Sequence, residues 1–192
     1  MIKWGNHKLG PDTCIINMGA VEDCPSKALG LCKIAGKCYA KKPEVQYKEH
    51  VVGYRNRQKD FWLNNTWEFI ADYIVKKIKA RLYLTKYLRF NESGDFWSQQ
   101  DVTKLSNIAG ILKTIDVITY GYTARRDLDF NAVHFLVKGS GFWAPNGRTM
   151  VLKKNEKVPE DYIECPGTGK SGCYRCNLCK INIPYNIAFH IH

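Results

Sequence analysis

Two groups of cysteines could do chemistry in this chain: Cys165, Cys173, Cys176 and Cys179 late, and Cys24, Cys32 and Cys38 early. The late run C-x2-C-x2-C presents three thiolates from one compact turn, and Cys165 can swing in from the other side to close the shell. Sulfur-only tetrahedral shells hold zinc or iron-sulfur clusters, and ligand identity alone does not separate the two. Zinc ribbons pair two C-x2-C knuckles across a longer spacer. Three cysteines crowded at two-residue gaps, with "CP" nearby, fit a cluster-binding turn better, although such turns usually place the proline after the last cysteine. The same stretch, "CPGTGKSGCYRCNLCK" (165–180), also contains Gly169, Lys170 and Ser171, which imitate the end of a phosphate-binding loop. The first glycine of such a loop would have to stand at Glu164, Pro166 removes an amide, and Cys173 interrupts the helix that must follow. The stretch therefore reads as a cage for metal.

The early cysteines are spaced Cys24-x7-Cys32-x5-Cys38 on one loop. A structural metal takes a closed shell, whereas three protein ligands leave one coordination place for substrate, cofactor or water. Cys14 lies in the apolar run "CIINM" and reads as a buried core thiol, outside the ligand set. Eight cysteines in a reducing compartment serve metals or catalysis more often than disulfides.

The elements that must position these residues alternate. "CIINM" (14–18) predicts a strand, followed by the Gly-, Pro- and Cys-rich loop to about residue 42. Apolar residues at three- to four-residue steps predict helix from Pro43 to about Arg81, with a second helix capped at Asn65 or Thr66. "YLRFN" (87–91) predicts a strand ending in the turn "NESGD", and Ser98 with Asp101 precede a helix ending near Lys113. "DVITYGY" (116–122), "NAVHFLV" (131–137), "TMVLKK" (149–154) and "YNIAFHIH" (185–192) predict further strands. This order argues for an α/β protein with a largely parallel sheet, whose functional groups collect in the loops beyond the strands' carboxyl ends. The 192 residues suit a single domain, divided into a first cysteine loop (14–42), an α/β core (43–160) and a C-terminal cysteine segment with a terminal strand (161–192).

With 45% apolar and 24% charged residues the composition is that of an ordinary folded protein. No run approaches the roughly 20 apolar residues of a membrane span, and "MIKWGNHKLG" lacks the apolar core of a secretion signal, so a cytoplasmic location is expected. The net charge of +11 makes nucleic acid a candidate partner, and oligomeric state is left open. A zinc-containing nucleic-acid-binding protein is the alternative reading, as is a cluster protein that transfers electrons or captures a ligand.

Three cysteines after a first strand, the last continuing "CYA" into a long helix, are similar to the cluster loop of radical SAM enzymes. The spacing departs from theirs: they typically use C-x3-C-x2-C with an aromatic residue before the last cysteine, whereas here Lys37 precedes Cys38 and Tyr39 follows it. The set "CP…C…CYA", "RFNESGDF" and a terminal "C…CxxCxLC" resembles the bacteriophage family called gene product 88, iron-sulfur proteins distantly similar to radical SAM proteins. The resemblance implies a partial α/β barrel and a 4Fe-4S cluster on Cys24, Cys32 and Cys38. One iron would be open to a small molecule such as S-adenosylmethionine. It also implies a second metal centre near the C-terminus, and residence in the cytoplasm of the infected host cell. "RFNESGD" then stands where a turn would hold the cofactor's ammonium end, with Glu92 or Asp95 as acceptor and Ser93 and Gly94 permitting close approach. An ordinary loop capping the next helix is the other reading of that turn.

Tyr120, Tyr122, Phe142 and Trp143 could stack bases, with Arg125, Arg126, Lys138 and Arg148 meeting phosphates, although aromatics at these spacings read more readily as core. His134 reads as a hydrogen-bonded core residue, and His190 and His192 share one face of the terminal strand. No Ser/His/Asp arrangement or nucleophile elbow is present.

Overall fold

The computed structural model describes residues 1–6, 8–82, 84–166 and 172–190. Gly169, Lys170, Ser171 and His192 lie outside the described residues. The chain folds as a mixed α/β protein around one open eight-stranded sheet in the order β1-β2-β3-β4-β5-β6-β8-β7. The strands are β1 (Lys3–Trp4), β2 (Thr13–Ile16), β3 (Tyr87–Phe90), β4 (Ile118–Thr123), β5 (Leu136–Ser140), β6 (Arg148–Leu152), β7 (Ile163–Glu164) and β8 (Ile187–His190). Only the β1–β2 pair is antiparallel; every other neighbouring pair is parallel.

Consecutive parallel strands joined by crossovers of one hand put their connections on the same face of a sheet. The helices follow that rule. After the short α1 (Pro25–Ala28), α2 (Lys41–Gln46), α3 (Lys48–Asn64) and α4 (Trp67–Lys79) connect β2 to β3, and α5 (Gln99–Lys113) connects β3 to β4. Helices α3 to α5 bury Trp62, Ile70, Ile74, Leu105, Ile108 and Leu112 against Cys14, Ile16, Leu88, Phe90 and Val137 of the sheet. Because side chains alternate along a strand, Tyr87, Arg89, Tyr120, Tyr122 and Lys138 point to the other face. Among the described residues no helix covers that face; the chain from Cys173 to Tyr185 lies across it, through Cys179 against Tyr122, Lys180 against Tyr87 and Lys138 against the carbonyls of Ile183 and Tyr185.

Local chemistry sets the helix starts. Thr66 accepts from the Phe69 amide at the head of α4, and the Asp101 carboxylate accepts from the amides of Trp97 and Ser98 at the head of α5. Asp101 also receives the Trp62 indole N–H at 2.7 Å, fastening α3 to α5.

The strand expected over 131–137 begins only at Leu136. Ala132 has φ 55°, the Asn131 amide donates to the Asp129 carboxylate and the His134 amide to Ser106 of α5, so a turn supplies the hydrogen bonds a ladder would have supplied. Val133 and Phe135 still reach the core from that turn. His134 is exposed rather than buried, with its ring against Gly110. Among the described residues no helix is long and apolar enough to cross a membrane.

Candidate metal centres

The early cysteines leave β2 on a loop at the carboxyl ends of the parallel strands. Cys24 directly precedes α1, where Pro25 presets the first helical turn, and the amides of Leu31 and Cys32 fold back onto the Ser26 carbonyl. Cys38 closes the short turn Ala35–Lys37, and its carbonyl accepts from Lys41 at the head of α2. All three thiols are free and half-buried. Burial pushes Cys24 up to about 11 against the pull of the Lys27 amide, with the Asp95 carboxylate adding to the rise. Burial raises Cys32 as well, with the neighbouring Cys38 contributing. Burial thus favours the neutral S–H form of Cys24 and Cys32 until a cation replaces their protons. Among the described residues no three His, Cys, Asp or Glu side chains converge into a metal-holding group, so binding at either cysteine group requires the thiols to draw together.

A buried polar frame pins this loop. Glu44 accepts from the Val21 amide at 3.0 Å and pairs with Arg55 at 2.5 Å, and Lys59 bonds Asp23 at 2.8 Å. Neither Glu44 nor Arg55 stood out in the sequence, because each belongs to a polar pattern that a solvated surface would share, and Asn17 lies inside the apolar run "CIINM".

The turn after β3 packs directly on the loop. Ser26 Oγ donates to Asp95 Oδ2, and the Tyr39 hydroxyl, one residue past Cys38, donates to the Glu92 carbonyl at 2.9 Å. Asp95 is wholly engaged: besides Ser26 it accepts from Thr123 Oγ1 at 2.7 Å and from the amides of Ala124 and Phe96 at 2.9 Å each. Burial raises its carboxyl against these four donors. Helix α5 is capped by Asp101, so Asp95 serves as a tie between loops and not as a cap. Glu92 is half-buried, accepting from Asn6 Nδ2 at 2.6 Å with Lys3 at 3.8 Å. The Ser93 amide donates to Asn17 Oδ1. Gly94 has φ 77° and lies so close to Met18 and Gly19 that a Cβ there would sit 2.8 Å from the Gly19 nitrogen. Only glycine admits that approach.

The late cysteines lie elsewhere. Cys165 is buried just past β7, its amide donating to the Ala188 carbonyl of β8 at 2.8 Å. Cys173 and Cys176 share a turn closed by the Cys176 amide, and the Tyr122 hydroxyl donates to Cys179 Sγ. Burial raises the Cys179 thiol, opposed by Tyr122 and by the charges of Arg89 and Lys138. Lys180 donates to the Cys173 carbonyl at 3.0 Å and stands 4.4 Å over the Tyr87 ring.

The cations here differ from those elsewhere. Of the buried basic residues, Arg55 pairs with Glu44 and Arg125 with Asp127, whereas Arg89, Lys138 and Lys180 have no carboxylate in ion-pair range among the described residues. Arg89 lies 4.2 Å from the Tyr122 ring centre and 5.5 Å from that of Tyr120, and its Nη1 and the Tyr120 hydroxyl have no hydrogen-bond partner. A buried guanidinium that meets the Tyr39 hydroxyl but leaves Nη1 unpartnered beside Cys179 fits an anionic group at the late cysteines. Arg89 had one sequence signal, a lone charge within the apolar strand "YLRF".

Of the residues weighed for a nucleic-acid groove, Tyr120, Tyr122 and Lys138 share one face of the sheet, with Tyr122 beside Lys138 in the β4–β5 register. Arg125 and Lys138 are buried, and Arg148 bonds Asp161 at 2.7 Å between the rings of Trp143 and Tyr162. His190 Nδ1 donates to the Lys153 carbonyl at 3.0 Å, and its Nε2 stands 3.4 Å from Glu164.

The sequence model of a family described as gene product 88 matches residues 2–140. The chain belongs to the gene product 88 family. The matched stretch runs from β1 to the end of β5 and includes Cys24, Cys32, Cys38 and the turn of Glu92 to Asp95, while the four late cysteines lie beyond it. Neither a curated protein nor a solved structure matches the chain.

Proposed function

We propose that this gene product 88 protein is an iron-sulfur protein. Cys24, Cys32 and Cys38 bind a 4Fe-4S cluster with one iron open to a ligand, and Cys165, Cys173, Cys176 and Cys179 bind a second centre of iron-sulfur or zinc. The observation that carries the reading is the juxtaposition of two loops far apart in sequence. The three-thiol loop after β2 lies against the turn after β3 through the Ser26–Asp95 and Tyr39–Glu92 hydrogen bonds. Ligand sites of parallel α/β sheets form where loops from neighbouring strands meet at their carboxyl ends. The open sheet, with its strands in nearly sequential order, supports a partial barrel of the radical SAM kind.

A cluster with an open iron supplies a redox-active Lewis-acidic site. The chain's own residues do the rest. Three half-buried thiols give up protons to become ligands, and the Pro25 turn and the Glu44–Arg55 pair hold their loop. Asp95 is consumed by four internal donors, which leaves Glu92 as the carboxylate that faces a ligand's ammonium group, S-adenosylmethionine being the candidate. The cytoplasm of an infected host cell would supply the reducing setting such thiols need.

Anaerobic purification followed by iron, sulfide and zinc analysis tests the reading. Iron and sulfide should be present, and Cys38→Ala should remove the share that responds spectroscopically to S-adenosylmethionine. Colourless, iron-free protein with all its thiols reactive would overturn it.

A further inference from the structure

We infer that Arg89, with Lys138 and Lys180, forms the built-in counter-charge of the late four-cysteine centre, an inference that rests on the proposed metal at those cysteines. Four thiolates around a divalent cation are doubly negative, and so is the thiolate-ligated cubane in its oxidised state. A doubly negative group placed under a protein segment needs positive charge nearby, and that is what the sheet presents. Arg89 on β3, Lys138 on β5 and Lys180 of the segment itself are 5%, 2% and 3% exposed, and no described carboxylate pairs with any of them.

The geometry ties them to one place. Arg89 is clamped against the ring of Tyr122, whose hydroxyl bonds Cys179 Sγ; Lys180 adjoins Cys179 and bonds the Cys173 carbonyl. Lys138 holds the exit of the segment through the carbonyls of Tyr185 and Asn146. Elsewhere in the molecule buried arginines are matched by acids, as Arg55 is by Glu44. A chain whose described residues leave three buried cations without a carboxylate beneath its cysteine segment bears the cost of burying charge until an anion arrives there.

Arg89 is therefore a positioning residue. It acts through Tyr122 and through its field, and it ligates nothing. Arg89→Met, close in volume, separates this from a packing role. The metal-affinity class that disappears in Cys179→Ser identifies the late site in the full-length chain, read by chelator competition with Zn(II) and Co(II). Arg89→Met should weaken that class by about tenfold or more, as loss of outer-shell partners usually does. Arg89→Lys should keep it within about threefold. The chelator-stripped Arg89→Met protein should melt at or above the wild-type temperature, since an unmatched buried charge has been removed.

The inference is overturned if Arg89→Met retains wild-type affinity while its metal-free form loses stability, the signature of a merely structural arginine. It is also overturned if inorganic phosphate stabilises wild type but not Arg89→Met with metal affinity unchanged, which would assign the cations to a small anion. Wild-type protein that takes up metal at the late site while Arg89→Met is unaltered sinks this inference alone. Absence of any uptake by wild type sinks the metal reading of the late cysteines with it.

Discussion

Ser26 Oγ donates to Asp95 Oδ2 at 2.7 Å, fastening the turn that follows Cys24 to the turn that follows β3. The same carboxylate holds Thr123 and Ala124 at the end of β4, so one buried residue joins the loops leaving three neighbouring parallel strands. Asp95→Ala should cost about 3 kcal/mol or more, because it strands four donors inside the protein. Ser26→Ala removes one donor and should cost about 1–2 kcal/mol. Urea unfolding measures both, and alkylation of Cys24 and Cys32 should quicken in Asp95→Ala while Cys176 is unaffected. Equal stability of Asp95→Ala and wild type would remove Asp95 from this role.

Cys14 gives a pH signature separate from the other cysteines. It is fully buried in β2 among Ile16, Leu88 and the helices, and burial pushes its thiol up to about 12. Between its ordinary value near 9 and that figure the unfolded chain gives up a proton that the folded chain keeps. Stability from this group is complete below the ordinary value and is lost as pH rises toward 12, by at most about 1.4 kcal/mol per pH unit. Urea midpoints measured from pH 8 to pH 11 should fall more steeply for wild type than for Cys14→Ala. Parallel slopes would show that Cys14 ionises as freely in the folded protein as in the unfolded chain.

The sequence revealed what short-range chemistry decides. Thr66, Ser98 and Asp101 announced helix starts because capping is a matter of three or four residues. The strands at Thr13–Ile16, Tyr87–Phe90 and Ile187–His190 were legible as β-branched and aromatic runs bounded by turn residues. "NAVHFLV" misled because an apolar run marks burial, and Phe135 is buried, with Val133 packed against the core, from a turn. The two-residue strands β1 and β7 are too short to carry a period. At the candidate sites the cysteines were visible from spacing. The partners that pin them, Asn17, Glu44 and Arg55 for the early loop and Arg89 and Tyr122 for the late segment, depend on which strands become neighbours, and even the lone charge of Arg89 in "YLRF" does not say which.

Gly10 tests whether the late segment is seated against the N-terminal loop. At φ 77° a Cβ on Gly10 would fall 2.0 Å from the Tyr174 ring, which lies between Cys173 and Cys176. Gly10→Ala therefore adds left-handed strain of about 1–2 kcal/mol and displaces the ring. Cys173 and Cys176 should react faster with a thiol reagent while Cys24 is unchanged. Adding Tyr174→Ala should recover the part of the loss due to contact and leave the strain, a coupling that a double-mutant cycle reads directly. Additive losses would mean that the two residues do not touch.

The two cysteine groups should differ in what their metal does for the fold. The backbone of the early loop is already tied by Ser26–Asp95 and Val21–Glu44, so a metal there would draw its thiols together without having to organise the segment. The late group would have to bring Cys165, held beside β8, to the turn that carries Cys173, Cys176 and Cys179, and a bound metal would close that connection. Binding free energy that organises a segment is folding free energy, about 2.7 kcal/mol when free metal stands a hundredfold above its dissociation constant. Chelation should therefore lower the melting temperature of wild type and of Cys38→Ala alike, and leave Cys176→Ala, already destabilised, unchanged. Scanning calorimetry with and without chelator decides it. A melting temperature indifferent to chelator in metal-loaded wild type, or one whose sensitivity vanishes in Cys38→Ala and persists in Cys176→Ala, would reverse the assignment of structural and reactive centres.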